Sequence, residues 1–245
     1  MAHRMKHILA KDVERAAQRL RADLGIEEQL RPNMIDVLQR MQDRGYISTY
    51  VRVPDDSLPA TEVKFESSDR KLTLSESTYN ALEYGDPRAR LTLAYELGHI
   101  VLQHPAIRYS SSSNGMIEAD NRRAEVAAQR FASAFLVPRD LAKNSSAQSA
   151  HQLANKFGID VPTARKILDE MRPQGSTKDG RFQYELVRDE LEKHHFGSYV
   201  VINMDTTEYV VAPTTTAALE KFVERFGKNA PGWCTRIGVS VFATA

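Results

Sequence analysis

Residues 90–105 read RLTLAYELGHIVLQHP, with Asp86-Pro87 just upstream. An Asp-Pro step supplies an N-cap and a first-turn proline, so a helix is expected from there to about Gln103. Within it, Tyr95-Glu96-Leu97-Gly98-His99 places Tyr95 and His99 at i and i+4, on one helical face. Where both positions are histidine, such a pair grips one metal ion and the intervening glutamate activates the bound water. Here the glutamate, the second histidine, a small Gly98 and core-facing apolar residues are present, but a tyrosine stands first. A neutral phenol, with an ordinary pKa of roughly 10, is a poor ligand at neutral pH.

A second segment, EVAAQRFASAFLVP at 125–138, falls on a helix expected from about Asn121 to Leu136 and ended before Pro138. It follows the pattern ExxAxxFAxxxxxP, with Glu125, Ala128, Phe131, Ala132 and Pro138 in the fixed places. Beyond it, residues 148–171 read as two short helices around Gly158, with Asp160 placed to cap the second. Upstream, Val13, Ala16, Ala17, Leu20 and Leu24 recur at helical spacing before Gly25, and a second helix runs from near Asn33 to Gly45. The period then changes to two, and 46–53, 61–66 and 71–74 read as three short strands. Helices, a small sheet and more helices predict an α+β fold.

The two segments, the strand-rich stretch before them and the helix pair after them resemble the ImmA/IrrE family over roughly residues 10–172. This is a family of zincin-type metallo-endopeptidases tied to gene regulation. The resemblance implies a zincin-like helical domain with a small three-stranded sheet, followed by a helix-turn-helix-like pair. It also implies that Glu96 is the general base, deprotonating zinc-bound water and passing the proton to the leaving amine. His99 would ligate zinc through a ring nitrogen and Glu125 through its carboxylate, leaving Tyr95 at the remaining metal position. Zinc is thus the implied cofactor if the site functions, and no cofactor is required if it does not. Altering a residue that merely supports a ligand costs about 10- to 100-fold in metal affinity or activity, and losing a ligand should cost no less.

Three functions follow from the resemblance. The favoured one is a regulatory protein with a degenerate peptidase site that binds a helix-turn-helix repressor or another protein partner. The second is an active zinc endopeptidase that cleaves a transcriptional repressor. The third is a DNA-binding regulator acting through the helix pair. The first leads because water activation needs a securely held metal. The third is weakest, since only Arg165, Lys166 and Thr163 offer reading groups on the second short helix. Nucleic-acid contact is accordingly expected to be weak or indirect.

Three parts are expected: a zincin-like domain at 1–145, the helix pair and a linker at 146–174, and a small α+β domain at 180–245. In the last, an amphipathic segment at 182–191, a hairpin of 199–203 with 208–211, a helix at 216–226 and a final strand at 236–242 are predicted. Trp233 reads as its core anchor. A regulatory role for this tail rests on family analogy alone. His104, at i+5 from His99, is expected to leave the ligand face and cap the helix C-terminus as a cation. His194-His195 are expected to be solvated.

The 245 residues carry 33 Lys plus Arg against 32 Asp plus Glu, a net charge of +1 that gives no broad electrostatic footprint for nucleic acid or membrane. A single cysteine, Cys234, excludes an intrachain disulfide. With no signal-like or membrane-length apolar run, the cytoplasm is the expected compartment.

Overall fold

The structure, a computed structural model, describes residues 9–58, 61–104, 115–171 and 177–238. The chain runs α1 (Ala10–Asp23), α2 (Met34–Asp43), β1 (Thr49–Val53), β2 (Val63–Glu66), β3 (Lys71–Ser75), α3 (Glu76–Glu83), α4 (Pro87–Val101) and α5 (Gly115–Leu136). It continues through α6 (Arg139–Asn144), α7 (Ala150–Phe157), α8 (Val161–Met171), α9 (Thr177–His195), β4 (Tyr199–Asn203), β5 (Tyr209–Ala212), α10 (Thr215–Phe226) and β6 (Gly232–Arg236). The mixed α+β class is as expected. Two compact units emerge, one within residues 11–108 and 127–172, the other within 1–10, 109–126 and 173–245; the division passes through α5.

In the first unit, local chemistry sets the helix starts. Asn33 caps α2 by accepting from the Ile35 and Asp36 N–H groups, and Met34, Val37, Leu38 and Met41 are buried below it. Each such side chain contributes roughly 1.5–3 kcal/mol on burial. The small sheet has the order β1-β3-β2. β1 runs parallel to β3, with Tyr50 beside Leu72, and β2 runs antiparallel, with Phe65 beside Leu72. Ser75 ends β3 and, accepting from the Thr78 N–H, caps α3, a helix the strand-like run before it conceals. α3 packs against β1, β3 and α4, and β2 packs against α4.

Two buried arginines hold this unit together. Arg21 donates to the carbonyls of Phe135, at 2.7 Å, and of Ile26, at 2.8 Å, and also to Gln29, so it joins α1 to the end of α5. Arg90 donates to the carbonyls of Pro32, Gly158 and Phe157 at 2.7, 2.9 and 3.3 Å. It thereby joins α4 to the loop before α2 and to the end of α7. Ser149 caps α7, Gly158 ends it at φ +64°, and Asp160 accepts from the Thr163 N–H to start α8. This is the expected turn at Gly158.

The second unit contains an antiparallel sheet of order β5-β4-β6. Alternation along β4 sends Val200 and Ile202 toward Tyr184, Val187 and Leu191 of α9. It sends Val201 the other way, toward Ala218 and Phe222 of α10. The sheet is thus covered by one helix on each face. The last strand differs from expectation. It is Gly232–Arg236, paired with β4 through Val201 beside Cys234, while 237–238 form a turn and 239–242 lie outside the described residues. Pro231-Gly232 opens this strand, and its alternation places Trp233 on the α9 side and Cys234 on the α10 side. Trp233 does pack into the core: a Cβ on Gly180 would fall 1.9 Å from its Cγ, so only glycine fits there. α5 and α9 begin earlier than the periodicity suggested, at Gly115 and Thr177. The serine run at 110–113 lies outside the described residues.

Candidate functional site

The helix carrying the motif starts as expected. Asp86 accepts from the Ala89 N–H at 2.9 Å and Pro87 occupies the first turn. Leu93, Ala94, Leu97 and Gly98 are buried on one side of α4. Gly98 is where α4 meets α5: a Cβ there would lie 3.1 Å from the Ala128 backbone and 3.2 Å from the Phe131 Cβ. This close approach explains a small residue inside the motif.

Tyr95 and Glu96, on the adjoining face, line a cavity of about 380 Å³. α5 adds Gln129, Ala132 and Ser133, α4 adds Leu91 and Thr92, and α8 adds Thr163 and Lys166. Sequence reasoning missed Thr92, Gln129 and Ser133. They were within reach: Thr92 lies one turn before Tyr95 and Glu96, and Gln129 and Ser133 are i, i+4 neighbours. Thr163 and Lys166, two of the three residues offered as DNA readers, are among the residues lining this cavity.

Burial raises the Glu96 carboxyl to a pKa of about 7. The His99 ring meets Tyr95 edge-on, with centroids 4.8 Å apart, and meets His104 similarly at 5.0 Å. The two histidines approach through their Nδ1 atoms at 3.1 Å, so one nitrogen donates and the other accepts. Burial pushes both rings down to about 4, His104 further through its histidine neighbour, and both are neutral at pH 7.

His104 therefore corrects the expectation of a cationic cap at the helix C-terminus pointing off the ligand face. Gln103 adopts φ +54°, and the His104 N–H bonds back to the His99 carbonyl at 3.0 Å. This left-handed helix stop folds the His104 ring onto His99. Its Nε2 is buried with no hydrogen-bond partner among the described residues.

Glu125 lies on α5, three residues before Ala128, and burial raises its carboxyl above the ordinary range. Among the described residues, no group of three or more His, Cys, Asp or Glu is placed to hold a metal ion. His194 and His195 are exposed at the end of α9, as expected. No helix among the described residues is long and apolar enough to cross a membrane.

No curated protein matches the chain. Among solved structures, a Mycobacterium tuberculosis transcriptional regulator is similar at 18% identity and a TM-score of 0.47, over 83% of this chain and 56% of that one. The chain thus spans little more than half the length of that protein. Residues 83–168, from the end of α3 into α8, match the family model of the IrrE N-terminal-like domain (Peptidase M78), which supports the ImmA/IrrE family for the stretch that builds this cavity.

Proposed function

We propose that this chain is an ImmA/IrrE-like regulatory protein with a degenerate peptidase site, acting by binding a helix-turn-helix repressor or another protein partner. The observation that carries this reading is Tyr95, a phenol in the first ligand position, lining the cavity beside Glu96. The donor chemistry fits zinc poorly. A tyrosine holds the first ligand position, and the described residues offer no group of three or more His, Cys, Asp or Glu placed for a metal ion. A catalytic zinc site needs three protein ligands plus an open position for water, and this donor set falls short of that requirement. The helix pair, with Thr163 and Lys166 turned to the cavity, serves in this reading as a wall of the binding surface and not as a DNA reader.

A second reading, an active zinc endopeptidase, draws on Glu96. A carboxyl at about 7 is poised for general-base chemistry near neutral pH. In that reading His99 and Glu125, with Tyr95, would hold the metal.

Metal content separates the two. Protein purified without chelators is expected to carry far less than one zinc per chain and to show no peptidase activity, while Tyr95→His rebuilds the i, i+4 histidine pair and binds roughly one zinc per chain far more tightly. Stoichiometric, tightly held zinc in the natural chain would overturn the degenerate-site reading.

A further inference from the structure

We propose that the cavity between α4, α5 and α8 binds a small zwitterion, with its ammonium group at Glu96 and its carboxylate at Lys166. These are the formally charged side chains lining the cavity, one from α4 and one from α8. Neither has an ion pair or a hydrogen bond with another side chain among the described residues. Opposite charges that share a cavity without meeting are complementary to a molecule that carries both signs. A simple anion would satisfy Lys166 and confront Glu96, while a simple cation would do the reverse. A molecule bearing both groups pairs with the partly buried Glu96 carboxylate and the exposed Lys166 ammonium at once, through two charge-assisted contacts.

The remaining lining suits the body of such a ligand. Leu91, Ala132 and the Tyr95 ring supply apolar surface, and Gln129 supplies an amide. The Ser133 hydroxyl already donates to the Gln129 carbonyl and the Thr163 hydroxyl to Asp160, so both oxygens present acceptor lone pairs. A volume of about 380 Å³ lies within the range of small-molecule sites. This inference goes beyond the preceding reading and needs neither a protein partner nor a metal.

The probe is a series of linear ω-amino acids, from glycine to 6-aminohexanoate, titrated by calorimetry into the full chain with chelator present. Alkylamines and carboxylates of matching length serve as controls. One length that spans Glu96 and Lys166 should bind best, at least about 10-fold tighter than either control. Glu96→Gln and Lys166→Met, each checked by circular dichroism, should reduce that affinity to the level of the controls. No binding in the series up to about 10 mM, controls that bind equally well, or undiminished binding in both folded variants would each overturn the proposal.

Discussion

Arg90 and Glu96 stand six residues apart on one helix, and the fold treats them oppositely. Arg90 is 1% exposed, and each of its three guanidinium nitrogens donates to a backbone carbonyl. Burial pushes its pKa down only to about 10, so it stays charged at neutral pH. Glu96 is partly buried, has no side-chain partner among the described residues, and is pushed up to about 7. An ionisable group that the fold uses is saturated with hydrogen bonds. One left unbonded at a cavity wall costs stability and is available to a ligand, which is why such groups mark functional sites.

The largest effect is expected on the saturated side. Arg90→Met keeps much of the side-chain volume but leaves the carbonyls of Pro32, Phe157 and Gly158 without their donor. The variant should lose about 3–5 kcal/mol of unfolding free energy in urea titration. A loss under about 1 kcal/mol would mean that these carbonyls find other donors and that Arg90 is not the clamp it resembles.

Removing the other charge should have the opposite sign. The Glu96 pKa is about 7 in the folded chain against an ordinary 4.5, so between those values the folded state holds more protons than the unfolded one. Its contribution to stability therefore falls as pH rises from 4.5 through about 7. Glu96→Gln should match wild type near pH 4 and exceed it by about 1–3 kcal/mol at pH 8. His99 and His104 run the other way. With folded values of about 4, below the ordinary 6.5, their contribution is complete above pH 6.5 and is lost as pH falls toward 4. The acid limb should thus persist in Glu96→Gln while the alkaline limb flattens. Denaturant titrations at pH 4, 6 and 8 would show it, and parallel profiles for the two proteins would refute it.

Much of the fold was legible because its signals are local. Asn33, Asp86 and Asp160 are caps, and Gly158 supplies the positive φ that separates α7 from α8. The site was partly legible, since helical spacing alone puts Tyr95 and Glu96 on adjacent faces of α4. What escaped depends on distant partners. Arg21 and Arg90 look like solvated arginines until carbonyls from Phe135 and Gly158 meet them. His104 was misread because Gln103, not a glycine, takes the left-handed turn that folds it back. α3 was hidden because Ser75 both ends a strand and caps a helix, with no turn residue between them. Gln129 and Ser133 become cavity residues only once α4 and α5 dock at Gly98.

The smallest effect is expected at Lys166, and its smallness is informative. Like Glu96 it lines the cavity without a side-chain partner among the described residues, but unlike Glu96 it is exposed, so water already solvates its ammonium group. An exposed, unpaired charge contributes little to folding, and surface substitutions away from special features change stability marginally. Lys166→Met should therefore shift the melting temperature by less than about 2 °C at both pH 5 and pH 8. A larger drop would mean that Lys166 is paired in solution, most plainly with Glu96 across the cavity. In that case Glu96→Gln would remove a favourable contact and destabilise the chain at pH 8. The signs of the two variants are therefore linked: a neutral Lys166→Met requires a stabilising Glu96→Gln, and melting curves of both at pH 8 decide whether the cavity holds two separate charges or one ion pair.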